Sequence, residues 1–145
     1  MRKTISFLIG LLLLTVSVAN TFAGNSDITD ENIQKFIEVF PEYTEVVSKI
    51  KMPTAYKMDT NNAMSTANEM FGDVQKFFEA HNLDMISFTM LVQKIALAYS
   101  EYSTKTKLPE TYKKTMNNFV NISEQEKNIV KKYMADLKQI FEDKS

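Results

Sequence analysis

The stretch at 84–102, DMISFTMLVQKIALAYSEY, decides the fold class. Phe88, Leu91, Val92, Ile95, Tyr99 and Tyr102 recur at intervals of three and four residues. That spacing stacks side chains on one face of an α-helix. Asp84 stands just before the pattern, where its carboxylate can accept from a free N–H of the first turn.

Working outward, the same periodicity recurs throughout. On the N-terminal side, a helix is expected over residues 61–81, with Ala63, Ala67, Met70, Phe71, Val74, Phe77 and Phe78 turned inward. Gly72 inside it costs about 1 kcal/mol relative to Ala, and a close helix crossing would account for it. Asn82 suits the left-handed position after a helix end, with Leu83 packing back on the last turn. Thr29 caps a first helix with the stripe Ile33, Phe36, Ile37 and Phe40. Pro41 clashes inside a helix and fits the start of a new one. A corner is therefore expected at residues 40–42, followed by a short helix with Tyr43, Val46, Val47 and Ile50 inward. Met52-Pro53 ends that helix, and residues 53–60 form a connector.

On the C-terminal side, residues 103–107 are a polar break. Pro109 starts a fifth helix with Tyr112, Met116 and Phe119 inward. Ser123 and Glu126 form a capping box for a last helix carrying Ile129, Val130, Tyr133, Leu137, Ile140 and Phe141. No segment alternates as a strand would. The expectation is an all-α fold, a single small bundle of about six helices. Glu31–Lys35, Glu45–Lys49, Glu101–Lys105 and Glu110–Lys114, spaced i, i+4, mark outer faces.

The first 23 residues read differently. Arg2 and Lys3 precede a 15-residue apolar run at 5–19, and small residues Thr21 and Ala23 stand three and one before a cut site. This is the layout of a secretory signal peptide. The run is short of the roughly 20 residues that span a bilayer. Residues 1–23 are expected to be cleaved, leaving 24–145 as one exported domain with no stable membrane span. The chain has no Cys, so neither a lipid anchor on Cys nor a disulfide is available.

Chemistry is bounded mainly by what is missing. Residues 24–145 hold two glycines, Gly24 and Gly72, one histidine, His81, and no Arg. A Gly-rich phosphate loop, a nucleophile elbow and a multi-His zinc site are therefore excluded. Absent Arg and a net negative charge argue against nucleic acid. Residues 105–145 carry nine Lys against six acidic groups, read as solvated faces or as an end that meets an acidic surface. His81 reads as a helix-end residue favoured by the dipole. No cofactor is implied.

Three features point to binding. Met52, Met58, Met64 and Met70 recur every six residues, but that step rotates successive side chains away from one another on a helix. They read as core or as an adaptable groove before they read as a Cu(I) site. The aromatics read as core, or as the lining of an apolar cavity. The candidate groove for a partner comprises Met70, Phe71, Phe77, Phe78, Phe88, Tyr99 and Tyr102. Asn121-Ile122-Ser123 fits the N-glycosylation sequon, though Ser123 already has a capping task.

The segment at 28–42, ITDENIQKFIEVFPE, resembles the start of certain uncharacterised bacterial secreted helical proteins, in which a capped helix ends in Phe-Ile, followed after a few residues by Pro. The stretches at 81–99 and 121–132 are similar as well. The resemblance implies an exported helical bundle and carries over no functional residue. Insect odorant carriers are also six-helix secreted domains, but they depend on Cys.

The expected function is a non-enzymatic binding protein of the bacterial envelope with a protein or peptide partner. The alternative is a carrier of a small apolar, lipid-like ligand. Behind these stand a hydrolase using two carboxylates and Cu(I) binding.

Overall fold

The structure is a computed structural model and describes residues 26–50, 63–105 and 107–142, with the side chains of all of these but 63–70. The expected signal peptide, the connector at 53–60, Met52 and Met58 lie outside the described residues. Among the described residues there are six α-helices and no strand. They are α1 Asp30–Ser48, α2 Ala63–Ala80, α3 Met85–Tyr102, α4 Glu110–Asn117, α5 Glu124–Lys132 and α6 Met134–Glu142. The number matches expectation, but the chain is divided differently.

The expected corner at Pro41 does not form, because Pro41 lies inside α1. Ile33, Phe36, Phe40, Tyr43 and Val47 are all buried, and their three- and four-residue steps pass through Pro41 without a slip. A helix-interior proline costs about 3 kcal/mol. Keeping three rings and two aliphatics on one face gains roughly 1.5–3 kcal/mol per side chain, so the continuous helix wins. Thr44 Oγ1 donates to the Pro41 carbonyl at 2.8 Å. Thr29 caps α1 as its sequence suggests, accepting from the Asn32 N–H at 3.1 Å.

The extra break is at Tyr133, where φ −101° and ψ 14° separate α5 from α6. No Pro or Gly causes it. Tyr133 is instead pinned from α1: its hydroxyl donates to Asp30 Oδ1 and accepts from Gln34 Nε2, both at 2.9 Å. Lys132 reaches the same Asp30 oxygen at 2.6 Å.

The α2–α3 joint follows local rules. Asn82 has φ 51°, the Leu83 N–H donates to the Phe78 carbonyl at 2.9 Å, and the Asn82 N–H to that of Glu79. This double closure ends α2 with Leu83 packed against the core. Asp84 then caps α3 through the Ser87 N–H at 2.8 Å. Beyond that cap, α3 is more enclosed than a one-sided stripe implies. Every residue from Leu91 to Ser100 is buried, Gln93 and Lys94 included. A helix apolar nearly all round belongs at the centre of a fold, and α3 meets α1 and α2 through Phe88, α5 through Lys94 and α6 through Tyr99.

Two inward assignments are corrected. Phe71 on α2 is 48% exposed and Phe119 after α4 is 42% exposed, with Val74 and Val120 taking the buried positions. No helix crossing is seen at Gly72 among the described residues: a Cβ there would meet none of them within 4 Å. Of the four expected surface pairs, Glu45–Lys49 forms at 2.9 Å. Lys35 pairs with Glu38, Glu110 with Lys113, and Glu101 with Lys127.

Candidate functional site

Four of the seven groove candidates are interior. Phe77 and Phe78 on α2 and Phe88 on α3 meet one another with ring centroids 5.3–6.2 Å apart. Tyr43 of α1 closes over them at 5.2–5.8 Å. Such tilted and edge-on contacts pack rings tightly. Tyr99 stacks 5.0 Å from Phe141, and its hydroxyl donates to Glu142 Oε1 at 2.6 Å. Tyr102 is half-buried beneath the Lys131 ammonium, 4.6 Å above its ring. Phe71 stands in solvent, and the Met70 side chain lies outside the described residues. The structure thus brings Phe77, Phe78 and Phe88 together as core.

Among the described residues, the surface keeps three large apolar side chains: Phe71, Met85 and Phe119. Phe71 adjoins Gly72, so α2 presents a ring beside a stretch of bare backbone. That pairing is the candidate interaction feature. Met116 is buried and Met134 half-buried against the core.

The most organised polar site was not legible from sequence as a site. Lys94 projects from the middle of α3 and is 5% exposed; its ammonium pairs with Glu126 Oε1. Glu126 is also buried. The same Oε1 accepts from the Ile28 N–H at 2.9 Å, and Oε2 from the Ser123 N–H at 2.8 Å. The Ser123 hydroxyl completes the capping box by accepting from the Glu126 N–H. One carboxylate therefore caps α5, neutralises a buried cation in α3 and holds the segment ahead of α1. Burial pushes the Glu126 carboxyl up. The Lys94 ammonium and the two N–H donors outweigh this and hold it below the ordinary glutamate value. Asp27 Oδ1 lies 3.7 Å from the same ammonium. The available sequence signal was a lone Lys inside the apolar run at 91–98.

His81 sits in the turn ending α2. Its N–H donates to the Phe77 carbonyl, its ring lies 4.7 Å from that of Phe77, and Nε2 is 2.9 Å from Glu42 Oε2. The Glu42 contact ties the end of α2 to α1. Among the described residues no group of three or more His, Asp or Glu side chains is placed to hold a metal ion. Nor is any described helix long and apolar enough to cross a membrane. Asn121 of the sequon is exposed, and Ser123 is engaged in the cap. No protein-family model, no curated protein and no solved structure matches the chain.

Proposed function

We propose that this chain is an exported, non-enzymatic binding protein of the bacterial envelope, akin to the uncharacterised secreted helical proteins that its N-terminal segment resembles. Its partner is a protein or peptide that meets α2 at Phe71. The observation that carries the reading is Phe71, 48% exposed, beside Gly72, where a Cβ would meet none of the described residues within 4 Å. A helical glycine with no internal packing reason costs stability. A partner whose backbone approaches there gives it a use. An aromatic ring is also the commonest kind of energetic anchor at interfaces. Export is supported by the leader-like residues 1–23.

The ring cluster of Tyr43, Phe77, Phe78 and Phe88 favours this reading over the apolar-ligand carrier. Centroid spacings of 5.2–6.2 Å leave those side chains filling one another's space. The test is affinity capture from the envelope with the parent and with Phe71→Asp. The expected result is a protein captured by the parent and lost from the variant, with unchanged far-UV circular dichroism. Identical captures, or a stoichiometric lipid in native mass spectra of the parent, would contradict it.

A further inference from the structure

We propose that the seat of Ile28, where α3 meets α5, is a binding site for an extended peptide in which an acidic residue precedes a large aliphatic one. Residues 26–29 are its built-in occupant. This site is distinct from the Phe71 face, so either assignment can fail alone.

The segment is neither helix nor strand, and Ile28 is nevertheless 2% exposed. It is held by side chains of the rest of the fold. Glu126 Oε1 accepts from the Ile28 N–H at 2.9 Å, Lys94 Nζ lies 3.7 Å from the Asp27 carboxylate, and Asn32 Nδ2 donates to the Asp27 carbonyl at 2.8 Å. Each contact reads a different feature of a peptide: an amide N–H, an acidic side chain one residue earlier, and that residue's carbonyl. The apolar seat reads the following side chain. Lys94 and Glu126 are fixed on α3 and α5 before any peptide docks, because they bind each other and Glu126 caps its own helix. A buried ion pair stabilises a fold little better than an apolar pair of the same shape. What it adds is selection of the segment that docks on it. The Asp27–Ile28 pattern is therefore the ligand chemistry written into the chain itself.

A tethered occupant competes at a high effective concentration, so a peptide in trans meets a site that is already filled. Weakening the occupant should expose the site. The experiment titrates a labelled peptide of the sequence Asn-Ser-Asp-Ile-Thr-Asp, that of residues 25–30, into the parent and Ile28→Ala. The variant is expected to bind at least about tenfold more tightly than the parent. Changing the Asp before Ile to Asn in the peptide, or adding Lys94→Met to the protein, should reverse that gain. Three results would overturn the proposal. They are no binding to a helical Ile28→Ala protein at about 1 mM peptide, binding indifferent to the peptide's Asp, and concentration-dependent dimerisation in place of peptide binding. If Ile28→Ala does not fold, hydrogen exchange of the Ile28 amide in the parent decides. Faster exchange with excess peptide supports displacement, and unchanged exchange overturns it.

Discussion

Replacing Glu126 with Gln removes one charge and almost no volume, so it isolates the electrostatic part of the α3–α5 junction. The Lys94 ammonium, 5% exposed, would lose its buried counter-charge. The remaining amide oxygen could accept from only one of the Ile28 and Ser123 N–H groups, and the NH2 would face a second donor. Breaking a buried pair by removing one partner costs about 3–5 kcal/mol, and we take about 3 kcal/mol because Gln keeps one acceptor. That is a large share of the roughly 5–15 kcal/mol holding a domain folded. At about 4 °C per kcal/mol for this size, Tm should fall by about 12 °C. Urea unfolding followed by far-UV circular dichroism measures it. Lys94→Met in the same background removes the stranded charge, so the double variant should lose about 2 kcal/mol less than the sum of the single losses. Additive losses, or a Glu126→Gln loss below about 1 kcal/mol, would refute the reasoning.

The other expectations are independent. The Glu126 carboxyl titrates below its ordinary value when folded, so the unfolded chain binds more protons. Its contribution is complete above about pH 4.3 and is lost as pH falls through the folded value; urea midpoints against pH should show a weaker acid fall in Glu126→Gln. Gly72→Ala should raise stability by about 1 kcal/mol, since a Cβ there meets none of the described residues within 4 Å; a lower Tm would reveal a close neighbour. Pro41→Ala restores an N–H to the interior of α1 and should add about 1–2 kcal/mol; a loss of stability would contradict the continuous helix. Phe36→Ala, fully buried, should cost about 3–5 kcal/mol, whereas Phe71→Ser at the surface should stay within about 0.5 kcal/mol, both read by urea unfolding.

What the sequence made legible is what neighbouring residues decide. Thr29, Asn82, Asp84 and the Ser123–Glu126 box act within four residues of themselves, and each helix end forms where its cap stands. Pro41 and Tyr133 misled for the same reason: each is settled by α1. Its buried face carries the helix past the proline, and Asp30 and Gln34 hold the tyrosine where α5 and α6 part. Ile28 and Glu126 are 98 residues apart, so only folding could turn a local capping residue into the partner of Lys94. The groove candidates were apolar residues at helical spacing, a pattern that a filled core and a binding surface share. Burial separates them, placing Phe77, Phe78 and Phe88 inside and Phe71 outside.

The central claim, that the chain binds a protein partner through the outer face of α2, is tested most directly by photocrosslinking in the producing cell. A photoreactive phenylalanine analogue replaces Phe71, and a control carries it at Gln139, exposed on α6. The expected result is a discrete protein adduct from position 71 that is absent from position 139. No adduct at 71, or the same adducts from both positions, would contradict the account.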